Sequence, residues 1–177
     1  MHATLRMSRP VWTSMRAHLL ASRDERMAYL LGRGGRWPDP AGAPVLDLLV
    51  TSVLLVPDSA LTMQTGVRVE IDPVFTREVL IACYETGLSL VDVHTHPFST
   101  DAVSFSGHDM ANMRATHADF LARMPGTPPA GVASLVLGQS GVAGAVTDPG
   151  TGALRPLERF LLLDDAVTEV ALCPSLC

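Results

Sequence analysis

The stretch Val91-Asp-Val-His-Thr-His-Pro-Phe-Ser-Thr-Asp-Ala-Val-Ser-Phe-Ser-Gly-His-Asp109 decides how this chain is read. Residues 88–96 form a strand by composition, and Pro97 ends it. Strand side chains alternate faces, so His94 and His96 point the same way. Two imidazoles so placed can share one metal ion. A third ligand has to come from another element. Asp109, in the first turn of a helix expected over about 106–123, is placed to supply it, with Asp101 on the loop as a rival carboxylate. Two His and one carboxylate, with a fourth position open, suit a catalytic zinc. Such an ion lowers the pKa of a water toward about 7 and polarises a carbonyl. Ser106 also reads as a helix N-cap, with an acid three residues on.

Outward from this stretch the pattern is mixed α/β. Residues 11–23 read as a helix with Trp12, Met15, Leu19 and Leu20 on one side. Residues 27–32 read as a buried strand and 33–44 as a loop rich in Gly and Pro. A strand is expected over 45–56 and another over 67–71. Asp72 then caps a helix that opens at Pro73 and closes at Gly87. A loop is expected over 124–131, then a hairpin of 133–137 with 142–146 around Gly138-Gln-Ser-Gly141, then a last strand over 157–163. Neighbouring strands at the end exclude a pure parallel sheet.

The chain has 177 residues, one ordinary domain's worth. Net charge is −5, unevenly spread. Residues 1–36 hold seven Arg and two acids, whereas 37–177 hold six Arg and sixteen acids. An acidic body argues against nucleic acid as partner. No apolar run reaches membrane-spanning length. Three cysteines, Cys83, Cys173 and Cys177, make no disulfide framework, so a reduced, cytoplasmic setting is expected. The pair Cys173 and Cys177 has a spacing that metal could use, although tail residues are commonly mobile. The basic N-terminus could be a transit peptide, but a surface helix leading into the domain is the simpler reading. There is no Lys. That denies a conjugating enzyme any acceptor side chain, while Arg-for-Lys drift explains it more simply.

A strand ending in Asp-x-His-x-His also opens the barrels of amidohydrolases and PHP-type phosphoesterases. Only 81 residues follow His96, and such a barrel needs about 250 in total, so length argues against it. His94-x-His96-Pro97 followed by Ser106-x-x-Asp109 instead resembles the JAMM signature of the MPN (Jab1/Mov34) metalloproteases. Glu25-Arg-Met-Ala-Tyr-Leu-Leu-Gly32 resembles the family's upstream Glu at the end of a first helix. The likeness spans about residues 21–137. The interval from His96 to Ser106 is about two residues longer than in many members. Ser104 lies nearer the usual distance from His96, but Ser106 keeps the spacing to Asp109.

The resemblance implies one MPN (JAB)-like domain over 1–177, a mixed β-sheet flanked by helices in the cytidine-deaminase-like class. It implies one Zn²⁺ held by His94, His96 and Asp109. Glu25 would take the proton of the attacking water and pass it to the leaving amine. Ser106 would donate a hydrogen bond to the developing oxyanion. His108 and His117 would be ordinary surface residues or supports of the ligands, and His2 and His18 carry no signal. The implied substrate is the Gly-Gly tail of a ubiquitin-like protein, added as a strand beside the site. E1- or E2-like enzymes of a bacterial conjugation or antiphage system would be partners. Short segments at 57–66 and 124–131 leave little room to grip a second ubiquitin, as in a compact prokaryotic-type member. A sulfur-carrier tail or a small amide is the alternative substrate, and an inactive scaffold the last alternative.

Overall fold

A computed structural model describes residues 1–124 and 130–175. Most of the loop expected over 124–131, and Cys177, lie outside the described residues.

The first element is a strand that the sequence reading took for part of a surface segment. In β1 (His2–Ser8), Ala3, Leu5 and Met7 alternate into the core. The charge of Arg6 hid it. Its Nε donates to both carboxylate oxygens of Asp47, at 2.8 and 2.7 Å, so the charge is met on the sheet. Helix α1 (Arg9–Leu19) starts two residues earlier than expected, with Pro10 in its first turn, and ends four residues earlier. It buries Trp12, Met15 and Leu19, and the edge of Trp12 meets Phe160 with ring centroids 4.9 Å apart.

Strands β2 (Met27–Pro38) and β3 (Pro44–Leu55) form a long antiparallel hairpin. Residues 33–38, expected as loop, continue β2. The turn is only 39–43, where Asp39 Oδ1 accepts the N–H groups of Ala41 and Ala43 at 2.9 and 2.7 Å. A short 3₁₀ turn (Asp58–Ala60) leads to β4 (Leu61–Thr65), which pairs with β5 (Arg68–Ile71) as a separate two-stranded sheet. Helix α2 (Pro73–Thr86) is capped as expected: Asp72 accepts the N–H of Val74 at 2.8 Å, and Gly87 closes it at φ 68°.

After α2 come β6 (Ser89–Thr95), α3 (Gly107–Arg123) and the expected hairpin of β7 (Val132–Leu137) and β8 (Val142–Thr147). Three short strands finish the described chain: β9 (Leu154–Pro156), β10 (Arg159–Leu163) and β11 (Thr168–Val170). The main sheet has nine strands in the order β11-β10-β1-β3-β2-β6-β7-β8-β9. Pairs β1/β10, β1/β3 and β6/β7 are parallel and the other neighbours antiparallel, so the class is mixed α/β. No helix among the described residues is long and apolar enough to cross a membrane.

Alternation along the central strands separates the two faces. Ala28, Leu30, Val91, Val93, Ala133 and Leu135 pack with α1 in one core. Tyr29, Leu90 and Val132 face the other way, against Val79 and Cys83 of α2 and Phe120 of α3. The second face also carries Asp92, His94 and Ser134, a row of polar residues that an apolar core alone would not select.

Two predictions follow from this packing. A Cβ at Gly32 would collide with the carbonyl of Leu49, where the β2/β3 register shifts. Gly32→Ala is expected to lose about 1–3 kcal/mol in urea unfolding. Burial pushes the Cys83 thiol up to about 11. Cys83 is therefore expected to resist iodoacetamide in the native protein at neutral pH and to react fully once denatured, as peptide mass mapping would show.

Candidate metal centre

Each side chain of the site is delivered by a different local rule. His94 lies on β6, and His96 follows just past its end, with its N–H donating to Leu137 O at 2.8 Å. Asp109 is fixed by the start of α3. Its Oδ2 accepts the Ser106 N–H at 2.7 Å, and Ser106 Oγ accepts the Asp109 N–H at 3.2 Å. That is a reciprocal capping box. The cap reading of Ser106 is therefore correct, and it is also what aims Asp109.

Asp109 Oδ1 lies 3.6 Å from His94 Nε2, and Oδ2 lies 3.4 Å from His96 Nε2. The ligand atoms of His94, His96 and Asp109 all fall within 4.8 Å of one another, so this group could bind a metal ion. Tetrahedral ligands about 2.0–2.2 Å from zinc are separated from one another by roughly 3.3–3.6 Å. Both carboxylate-to-imidazole separations match that spacing. His94 Nε2 is buried and has no hydrogen-bond partner. A buried ring nitrogen left unpaired is costly in a protein and suited to a bound cation. The donor set fits a zinc ion.

Glu25 stands beside this group, with Oε1 3.7 Å from His96 Nε2. The sequence reading put it at a helix end. Instead α1 stops at Leu19, and Glu25 sits in an extended segment just before β2. Its N–H donates to Thr65 O at 2.8 Å, and Gln64 Nε2 donates to its carbonyl at 3.0 Å, so β4 holds it in place. The side chain is buried, only 4% of the residue being exposed.

The charges answer one another. Burial raises the Glu25 carboxyl above its ordinary value, and the nearby His96 and His94 only partly offset that. Burial disfavours a charged His94, yet Asp109, Asp92 and Glu25 around it raise it overall. Burial works against an ionised Asp109 too, but the two imidazoles and Ser106 hold it well below the usual carboxylate range.

The site opens into a cleft of about 1140 Å³ between β5, α2 and α3. Ser106 lines it and Ser104 does not, while the rival Asp101 lies neither in the ligand group nor on the cleft. His108 is exposed and meets Asn112 at 3.1 Å. His117 corrects the surface reading: it is 1% exposed, bonded to Thr147 and Ser134. Two residues that sequence reasoning passed over also line the cleft. Phe98, 59% exposed, stacks on His96 with centroids 5.4 Å apart and planes 18° apart. Asp92 precedes His94 by two on the same strand face, and that alternation was the signal for it. Cys173 is partly buried near Gly141, packed with the Val103 and Phe105 cluster, and is not in the ligand group.

No protein-family model matches this chain, and no curated protein matches it. Among solved structures it is similar to the solution structure of protein DSY2949 from Desulfitobacterium hafniense. The TM-score is 0.51 at 15% identity, over 91% of this chain and 94% of that one. At that identity the likeness concerns the fold alone.

Metal uptake is a competition with protons. Because His94 is raised, protons displace the metal from a higher pH than at a free imidazole of about 6.5. Zn²⁺ affinity is expected to fall as pH drops, with the onset above the range of a free imidazole, by calorimetric titration. About one Zn²⁺ per chain is expected in elemental analysis, lost in His96→Ala and retained in Glu25→Gln.

Proposed function

We propose that the protein is a zinc-dependent isopeptidase or peptidase of the JAMM/MPN type, which cleaves after the C-terminal Gly-Gly of a ubiquitin-like protein. The observation that carries this reading is the placement of Glu25. A buried carboxylate with raised proton affinity stands beside a two-His, one-Asp group that could hold a cation.

Zinc bound by His94, His96 and Asp109 would supply Lewis acidity toward a carbonyl and a more acidic water. The remaining work falls to the chain itself. Glu25, whose proton affinity burial raises, can take a proton from water and return it to a departing amine. Its main chain is held by β4 through Thr65 and the Gln64 side chain, which keeps it beside the ligand group. Ser106, at the start of α3 on the cleft wall, can turn its hydroxyl toward a developing oxyanion.

The cleft supports an extended substrate. Among the described residues β5 pairs with β4 alone, and its residues Arg68, Val69, Glu70 and Ile71 line the cleft. A free strand edge beside the metal group can accept a peptide by strand addition. Phe98 forms an apolar wall over His96 on the other side. A sulfur-carrier tail would use the same groove, and a small amide would not need its length. E1- or E2-like enzymes would be partners if the substrate is a conjugate, and an inactive scaffold would have no use for a buried Glu25 at the ligands.

Zinc-loaded protein is expected to release the fusion partner from a ubiquitin-like protein ending in Gly-Gly. Glu25→Gln should lower kcat about 10²–10⁴-fold while keeping zinc. Ser106→Ala should lower it about 10²–10³-fold and also cost roughly 1 kcal/mol as a lost helix cap. Equal turnover of a fusion and of a simple acetyl-amide would move the assignment to a small-amide hydrolase. Zinc uptake without cleavage of either would leave the scaffold.

A further inference from the structure

Under the cleft floor, four polar side chains from four elements form a chain that the metal centre does not use. Thr147 Oγ1 lies 2.8 Å from His117 Nδ1. His117 Nε2 lies 3.0 Å from Ser134 Oγ. Ser134 Oγ lies 2.5 Å from Asp92 Oδ2. Thr147, His117 and Ser134 are 4%, 1% and 0% exposed.

Hydrogen-bond roles set the direction. A carboxylate only accepts, so the single Ser134 hydroxyl hydrogen goes to Asp92. Ser134 then accepts from His117 Nε2–H, and Nδ1 accepts from the Thr147 hydroxyl. Every group is satisfied, and each bond polarises the next toward Asp92. The other carboxylate oxygen, Oδ1, takes no hydrogen bond among the described residues. The Asp92 side chain keeps 20% of its surface and lines the cleft.

Charge in the cleft is lopsided. Arg68, its arginine, is bonded to Glu70. Asp109 and Glu25 face the metal group. His117 Nε2 is 3.5 Å from Asp92 Oδ2, but its hydrogen is committed to Ser134. Among the described residues Asp92 is thus a held carboxylate with no arginine paired to it, on a floor that includes Met27, Tyr29, Leu90 and Val132. Two residues of strand separate it from His94 by roughly 6.6–6.8 Å. An extended peptide has the same repeat.

We propose that Asp92 is a specificity residue: it receives a positively charged side chain of an extended substrate, two residues from the one whose carbonyl sits at the metal. Ser134, His117 and Thr147 are positioning residues that keep its free oxygen on the cleft. The proposal rests on the peptidase reading and names the substrate's charge.

The test uses zinc-loaded protein and peptides acetyl-Leu-Xaa-Gly-Gly, as amides for calorimetric binding and as aminocoumarin conjugates for turnover. Xaa is Arg, its neutral isostere citrulline, or norleucine. Wild type is expected to favour Arg over citrulline by on the order of tenfold in Kd and in kcat/KM, about 1.4 kcal/mol. Asp92→Asn, which keeps the acceptor for Ser134, should bring that ratio to about one with zinc content unchanged. Asp92→Glu should restore part of it. Ser134→Ala should shrink the ratio although the charge remains. Equal affinity for Arg and citrulline in wild type overturns the proposal without any variant, as does a ratio that survives in Asp92→Asn. Cleavage indifferent to Xaa sinks this proposal and spares the peptidase. Absence of cleavage sinks the peptidase, and the binding ratio then decides Asp92 alone.

Discussion

One carboxylate carries two duties at the centre of this molecule. Asp109 Oδ2 accepts the Ser106 N–H and so begins α3, and the same group faces both imidazoles at 3.4 and 3.6 Å. A capping box satisfies N–H groups that a helix start would otherwise leave bare. Here it also turns the acid toward β6 and holds it there. Helix nucleation and assembly of the ligand group are therefore one event. The carboxyl's strong preference for the charged form serves both, since an anion also suits the positive end of a helix.

The long loop before α3 works because it is anchored rather than free. Val103 and Phe105 are 2% and 8% exposed, and they pack with Met113 of α3 and Val136 of β7. Phe105 lies 6.0 Å from His94 by ring centroids and dries the ligand side. A low local dielectric strengthens every charge interaction at the site.

What the sequence made legible depended on how local the signal was. His94 and His96 followed from strand alternation, Asp109 from a helix start, Asp72 and Gly87 from caps. All are rules of a few residues. Glu25 was found only beside those ligands, and its true setting, an extended segment tied to β4, depends on Thr65 and Gln64 far along the chain. Strand β1 was missed because Arg6 reads as surface until Asp47 of β3 is brought within reach of it. His117 was misplaced for the same reason. Its partners Ser134 and Thr147 lie 17 and 30 residues away and meet it only across the finished sheet. Polar residues read as exposed when their partners are distant in sequence.

The place of β1 in the sheet has a temporal side. Residues 2–8 sit between β3 and β10, and Leu5 pairs in register with Phe160. Strand β1 is synthesised well before β10, one of its two neighbours. Until β10 is made, one edge of Ala3, Leu5 and Met7 is open to the wrong strand. Pairing so distant in sequence makes closure of the sheet slow compared with the helices, and it exposes a sticky intermediate for the whole interval. A high concentration of unfinished or refolding chains is then the condition under which β1 is most open to wrong pairing.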